Sequence, residues 1–349
     1  MSLASNDMLL KRVYRKVCVP LSEVQAAAPS AGPVEQFSPA LHLAYRPRAQ
    51  FYRHSLTEMG ISPDSRQNAS NAPALCDFAV TEPFSLLSPA GVKAMRQAVE
   101  SVDVQANCKI LIKADDGAPL NHWQIRGPAK YSKFIKDLWS SPEVNAAVSD
   151  AAQLRLKPTM AYEMGHTNVQ LPEEHLCSEP PVDSWHYDAN CPFVAIVMLS
   201  DPADMVGGET AIMRPDGSVF RIRYPAAGWA IVLQGMNVKH CGTPVTGGRG
   251  ERMSMVTSYQ AADDNIPYHG TLRGVRIISE VNELYGEWTV SRLRVLAAKA
   301  SALAEKVEKE RLAEKFDLDQ TVLACQQLAD YHAHTMRELS PETEVSDIF

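Results

Sequence analysis

The sequence predicts a mixed α+β chain in which an antiparallel β sandwich or barrel is flanked by helices on both sides. Two observations carry this expectation. Between about Met160 and Tyr259 the apolar residues fall in short runs, punctuated by Gly207-Gly208, Pro215-Asp216-Gly217, Gly228 and Gly247-Gly248. That spacing suits an antiparallel sheet better than a doubly wound parallel one. Before and after this region, apolar residues recur at three and four, the helical period.

The elements follow in order. Residues from about Leu21 to Ala74 are rich in Pro, Ala and Ser and show little periodicity, so residues 1–74 are expected to wrap a core without forming a domain. Ser88-Pro89 precedes Ala90 to Val99, with Ser at a helix cap and Pro at the first helical position. Ser132 to Trp139 and Pro142 to Leu154 carry further helical turns, with Phe134, Ile135, Leu138 and Trp139 at helical spacing. The period then changes to two. Met160 to Gln170 reads as a strand between Pro158 and Pro172, and Phe193 to Leu199 is an unbroken apolar run. Ala211–Met213, Val219–Arg223, Trp229–Gln234 and Met253–Tyr259 complete the β region of a core expected to span residues 75–286.

After Gly286 the helical period returns, in Leu293, Leu296, Ala300, Leu303 and Val307 and again in Val322, Cys325, Ala329, His332, Met336 and Leu339. Residues 287–349 are expected to form a helical segment packed on the core. A homodimer through these C-terminal helices is the alternative use of their apolar stripes.

Composition narrows the function. The 349 residues are 45% hydrophobic and 21% charged, an ordinary globular balance. A net charge of −7 disfavours nucleic acid, which demands clustered cations to neutralise phosphates. No apolar run reaches the length of a membrane span. The first twenty residues mix Lys11, Arg12, Arg15 and Lys16 with short apolar stretches and lack the core of a secretory signal. The seven cysteines include no CxxC pair, as expected for reduced thiols in the cytoplasm.

The chemistry centres on Trp185-His186-Tyr187-Asp188 and on His240, 52 residues beyond Asp188. In an extended segment His186 and Asp188 point to the same side, because side chains alternate. Two imidazoles and a carboxylate on one face of a metal leave three adjacent positions open, the facial triad of non-haem Fe(II) oxygenases. Zinc sites also use two His and a carboxylate, so these ligand types alone leave the metal open. Twelve residues after His240, Arg252-Met253-Ser254 opens an apolar strand. A carboxylate buried in a barrel needs a fixed cation, and a guanidinium can grip it with two parallel hydrogen bonds. Ser254 would face the same way and add a hydroxyl.

These residues resemble the Fe(II)/2-oxoglutarate-dependent dioxygenases. His186-x-Asp188, His240 and Arg252-x-Ser254 match that family in order and spacing, and Gly207-Gly208-Glu209-Thr210 looks like the GGET turn of its prolyl-hydroxylase-like members. The resemblance covers about Met160 to Tyr259. It implies a double-stranded β-helix (jelly-roll, cupin-like) core, Fe(II) held by His186, Asp188 and His240, and 2-oxoglutarate and O₂ as co-substrates. Tyr162 to Asn168, Phe193 to Asp201 and Val232 to Gly235 are similar to a fungal branch active in secondary metabolism. That branch oxidises amino acids or polyketide-derived aromatics, by hydroxylation, aziridine formation or ring expansion. One departure is the longer turn Gly247 to Glu251. The family usually places its Arg nine to eleven residues after the distal His, which makes Arg249 a rival to Arg252. Arg252 is preferred because it continues into an apolar strand, whereas Arg249 sits among turn glycines.

If Met160 to Gln170 is one strand, then Tyr162, His166, Asn168 and Gln170 share a face and are candidates to line the cavity. Asn168 is assigned to the co-substrate, and Thr210 and Gln234 join the substrate cavity. The expected activity is oxidation of a C–H bond of a small molecule, with succinate and CO₂ released. The alternatives are a zinc or manganese hydrolase, or a non-catalytic small-molecule-binding barrel, on the same ligands.

Overall fold

The computed structural model describes residues 13–15, 35–44, 51–66, 71–113, 119–172, 185–266 and 268–339. Of the expected N-terminal extension, residues 1–12, 16–34, 45–50 and 67–70 lie outside the described residues. Seven helices occur among the described residues: α1 (Pro39–His42), α2 (Pro89–Val99), α3 (Val102–Cys108), α4 (Lys133–Ser140), α5 (Pro142–Ala152), α6 (Val281–Leu312) and α7 (Leu318–Glu338). Three of these starts are capped by serine, the first of them as the sequence suggests. The hydroxyls of Ser88, Ser132 and Ser141 accept from the backbone N–H of Gly91, Ile135 and Val144, each worth about 1 kcal/mol. The long helix α6 begins earlier than expected, on a Glu280 cap, and runs straight through Gly286. No helix among the described residues is long and apolar enough to cross a membrane.

The strands in chain order are β1 (Val13–Arg15), β2 (Arg53–His54), β3 (Val80–Thr81), β4 (Phe84–Ser85), β5 (Lys109–Lys113), β6 (Pro119–Ile125), β7 (Leu156–Pro158) and β8 (His166–Gln170). They continue as β9 (Phe193–Met198), β10 (Met205–Gly207), β11 (Thr210–Met213), β12 (Val219–Ile222), β13 (Trp229–Leu233), β14 (His240–Gly242), β15 (Val245–Gly248) and β16 (Arg252–Ala261). The large antiparallel sheet has the order β1-β5-β6-β8-β16-β9-β13-β3-β2, with β4 beside β13 and β7 beside β16. A small sheet has the order β12-β11-β14, and β10 pairs with β15. From β8 onward the chain passes between sheets: β8 and β9 in the large one, β11 and β12 in the small one, then β13, β14 and β16 alternating.

Side-chain parity explains the two packing layers. Phe193, Ala195 and Val197 of β9, with Met253, Met255 and Tyr259 of β16, pack against α2, α4 and α5 through Met95, Trp139 and Val148. The alternate residues Val194, Ile196 and Met198 turn inward and share a cluster with Ile231 and Leu233, and with Ile212 and Ile222 of the small sheet. The two sheets therefore enclose one interior. Leu56, Met59 and Ile61 from the early chain also enter that cluster.

One expected strand is shorter than its pattern. Ala161–Glu163 is a 3-10 turn, the chain bends through Met164 and Gly165, and only His166–Gln170 pairs as a strand. Gly165 takes a positive φ of +77° at this bend, a conformation that a side chain would strain. Tyr162 consequently leaves the inner face and packs with Met160, Leu272, Leu284 and Trp288 beneath α6. α6 and α7 are tied to the core by the buried Arg292. Its guanidinium donates to the Tyr268 carbonyl (3.1 Å), the Tyr331 carbonyl (3.2 Å) and the Thr335 hydroxyl (3.0 Å).

Candidate metal centre

The site begins with a backbone pairing. His186 and His240 exchange both main-chain hydrogen bonds, at 3.0 and 2.9 Å. Residues paired in this way project their side chains to the same side, and the two imidazoles lie with ring centroids 4.5 Å apart. This bridge adds the His186 segment to the free edge of β14 in the small sheet. Two residues on, the Asp188 N–H donates to the Gly235 carbonyl at 2.9 Å, and the Asp188 carboxylate lies against the bare Cα of Gly235. A side chain at position 235 would overlap Asp188 Oδ2.

One ligand atom from each of His186, Asp188 and His240 lies within 4.8 Å of the others, and His240 Nε2 is 3.7 Å from Asp188 Oδ2. The tautomer of His240 follows from its surroundings. Its Nδ1–H donates to the Val238 carbonyl at 2.9 Å, which leaves the Nε2 lone pair facing the cluster. Burial pushes the His240 pKa down to about 4 against the opposing pull of Asp188, so the ring is neutral near pH 7. Asp188 Oδ2 is buried and has no hydrogen-bond partner among the described residues. A buried carboxylate oxygen left in this state is costly, and a divalent cation between the three side chains would satisfy it. The donor set fits a metal.

Arg252 enters the same interior from the first position of β16. Its Nε donates to the Gly208 carbonyl at 2.8 Å and its Nη1 to the Ser254 hydroxyl at 2.7 Å. The side chain is buried against Gly242, where an added Cβ would stand 3.3 Å from the guanidinium carbon. Burial lowers its pKa, and among the described residues no ion pair joins it to a carboxylate. Gly207 and Gly208 both adopt positive φ, +83° and +76°, and this turn presents the Gly208 carbonyl to Arg252. The next two residues of the GGET turn serve the fold. Glu209 accepts from the Thr243 hydroxyl at 2.8 Å and pairs with Arg223, and the Thr210 hydroxyl meets the Tyr224 phenol at 3.0 Å. Arg249 lies on the exposed turn, held by its backbone N–H to the Asp204 carbonyl.

Strand register places the other candidates. Arg252 stands opposite Gln170, Ser254 opposite Asn168 and Val256 opposite His166, so these three polar residues of β8 share the inner face with Arg252 and Ser254. His166 Nε2 is buried without a partner among the described residues. Burial drives the His166 pKa well below the usual value, with Arg126, His122 and His186 adding to the effect.

Two cavity expectations are corrected. Tyr162 lies outside the interior, and its phenol oxygen accepts from the Glu280 N–H at 2.9 Å. Gln234 is fully buried but turned outward to the early chain: its amide oxygen accepts from Leu75 N at 3.0 Å, and its Nε2 donates to the Cys76 and Phe78 carbonyls. Thr210 is buried at the start of β11, one step behind Arg252 through Tyr224.

The sequence reading misses Gln124, which pairs across from Asn168 on β6 and has a buried, unpartnered Oε1 among the described residues. The alternation His122-Trp123-Gln124-Ile125-Arg126 is the signal that could have found it. It also misses a buried network next to Asp188. Glu163 pairs with Arg126 and accepts from Asn190 Nδ2 at 2.9 Å, and Tyr268 donates its hydroxyl proton to the Asn190 carbonyl. With Thr271 N–H donating to the Ala189 carbonyl at 2.7 Å, these contacts brace the segment that follows the ligand.

No family profile and no curated protein matches the chain. Among solved structures, it is similar to the non-heme alpha ketoglutarate dependent carbocyclase SnoK from nogalamycin biosynthesis, with 15% identity over 51% of this chain and 77% of that one, at a TM-score of 0.40. The epimerase SnoN, in complex with Fe3+, alpha ketoglutarate and nogalamycin RO, shows 16% identity over 50% and 76% at a TM-score of 0.37. In another SnoN structure the match spans 62% of that chain. HygX from Streptomyces hygroscopicus, with nickel and 2-oxoglutarate bound, shows 16% identity over 41% and 71% at a TM-score of 0.28.

Proposed function

We propose that this chain is a cytoplasmic Fe(II)- and 2-oxoglutarate-dependent oxygenase built on a double-stranded β-helix, acting on a small molecule. One observation carries the reading. A buried guanidinium without a carboxylate partner among the described residues shares an interior with a cluster of two imidazoles and an unsatisfied carboxylate. A dicarboxylate co-substrate held on the metal by one end needs such a cation for its far carboxylate. The passage of β8, β9, β11, β12, β13, β14 and β16 between two facing sheets supports the fold assignment.

His186, Asp188 and His240 would hold the metal on one face. Bound Fe(II) with 2-oxoglutarate and O₂ would supply the oxidation of a C–H bond, with release of succinate and CO₂. The chain's own work is binding and exclusion. Arg252 and Ser254 grip the far carboxylate of the co-substrate, and Asn168 adds a polar contact from the neighbouring strand. Ile196, Met198 and Ile231 give the interior an apolar wall that keeps water out. His166 and Gln170, with Gln124 beyond them, orient the substrate. The substrate is an amino acid or a secondary-metabolite intermediate of the kind oxidised by the fungal branch, and hydroxylation, cyclisation to an aziridine or rearrangement are its outcomes.

The test is succinate and CO₂ release with Fe(II), 2-oxoglutarate, O₂ and candidate substrates. Turnover of 2-oxoglutarate that requires Fe(II) is expected. Tight zinc binding with no iron-dependent turnover under any condition would overturn the proposal in favour of a hydrolase, and absence of metal binding would favour a simple binding barrel.

A further inference from the structure

α6 and α7 run antiparallel, and burial marks the seam between them. Arg292, Val295, Lys299, Leu303 and Val307 of α6 are buried or half-buried, as are Thr321, Ala324, Leu328, Tyr331 and Thr335 of α7. All but one of the positions one residue further along each seam are exposed. On α7 these are Val322, Cys325, Ala329, His332 and Met336, preceded by the exposed Leu318. On α6 they are Leu293, Ala300, Ala304 and the charged Glu308, joined by Val290 and Ala297, while Leu296 is half-buried. One residue is about 100° of helix rotation. Because the helices run in opposite directions, the same step along the sequence turns both stripes to the same side of the hairpin. The result is an apolar face two helices wide. Leu318, Val322 and Met336 are 63%, 60% and 55% exposed, and neither the α7 stripe nor the α6 stripe from Val290 to Ala304 contains Asp, Glu, Lys or Arg. Solvated positions further along α6, such as Glu305, Lys306, Glu308 and Lys309, do carry charge.

We infer that this face binds the same face of a second copy of the chain, with the two α7 helices packed antiparallel about a two-fold axis. The spacing on α7 points to this occupant. Positions 318, 322, 325, 329, 332 and 336 alternate steps of four and three, the pattern of a coiled-coil seam, and the series reads the same in reverse. An axis opposite residue 327 therefore sets Leu318 against Met336, Val322 against His332 and Cys325 against Ala329 of the second copy. Such a self-complementary contact closes as a dimer. The antiparallel arrangement also brings the acidic start of α7, Asp317 and Asp319, beside Arg337 at the end of the other helix. The helix dipoles then oppose, which is favourable.

Light scattering on the purified full chain at micromolar concentration tests the proposal. Twice the monomer mass is expected. Val322→Glu with Met336→Glu, both at exposed positions of the α7 seam, should return a monomer whose far-UV circular dichroism is unchanged. Register is read separately with Ala329→Cys under oxidised glutathione, where mass spectrometry should find Cys325 linked to the new cysteine of the second copy. This second variant keeps the test valid if the glutamate pair misfolds. A monomeric wild-type chain, or a dimer indifferent to the glutamates, overturns the interface. A dominant Cys325–Cys325 link overturns the antiparallel register.

Discussion

The Asp188 carboxylate rests on the bare Cα of Gly235, and the Asp188 N–H donates to the Gly235 carbonyl at 2.9 Å. The ligand is thus placed by a residue that offers no side chain. Gly235→Ala should push Asp188 Oδ2 away from His240 while leaving every ligand in the sequence. Loss of a group that orients a ligand typically costs about 10- to 100-fold in metal affinity. Titration of the variant with Mn(II), followed by paramagnetic resonance, should show a drop in that range. Wild-type affinity would mean that Asp188 is not held by this contact.

Arg252 and Arg249 differ in burial although they are three residues apart. Arg252 lies under Gly208 and beside Ser254, whereas Arg249 is on the exposed turn. Arg252→Met should raise the 2-oxoglutarate concentration needed for half-saturation by about 30-fold or more, since truncating one member of a buried charged pair costs about 2–5 kcal/mol. Mn(II) affinity should hold. Arg249→Ala should behave as wild type. The same Arg252→Met protein, free of ligand, should melt close to wild type, because a buried cation without a carboxylate contributes little to stability. Calorimetry of the ligand-free variants checks that part.

The proximity of His186, Asp188 and His240 is legible because period two and a distant third ligand are both visible in sequence. Arg252 is separable from Arg249 for a similar reason: an Arg that opens an apolar strand turns inward, and one among glycines does not. Tyr162 escapes a sequence reading because three residues of 3-10 turn are too few to disturb an apparent alternation. Gln234 escapes it because its partners, Leu75, Cys76 and Phe78, come from a remote stretch whose path no local pattern reveals. The pairing of β6 with β8, which brings Gln124 opposite Asn168, is likewise a long-range fact.

His166 gives the metal-free protein a pH dependence with a definite sign. In the unfolded chain an imidazole titrates near ~6.5. In the folded chain burial, with Arg126, His122 and His186 nearby, holds the ring neutral to well below that value. Between the two values the unfolded chain binds more protons, so stability rises with pH across the window and is lost as pH falls below about 6.5. Urea denaturation in the presence of a chelator, at about pH 7.5 and about pH 5.5, should show a lower midpoint at the acid value. His166→Gln should shrink that difference, since the other titrating groups, His240 included, are common to both proteins. An unchanged difference would show that His166 is protonated in the folded state over this range.

Gln234→Ala separates a structural role from a cavity role. The wild-type amide accepts from Leu75 N at 3.0 Å and donates to the Cys76 carbonyl at 3.1 Å and to the Phe78 carbonyl. Truncation leaves these backbone groups buried without their partner, at about 1–3 kcal/mol each before any relaxation. A loss of roughly 3 kcal/mol or more is therefore expected in urea denaturation. The early chain would be held less firmly against β13, while the inner face bearing His166, Asn168 and Arg252 would be untouched. The half-saturating 2-oxoglutarate concentration of the folded variant should accordingly match wild type. A variant of normal stability with impaired turnover would instead place Gln234 in the substrate cavity.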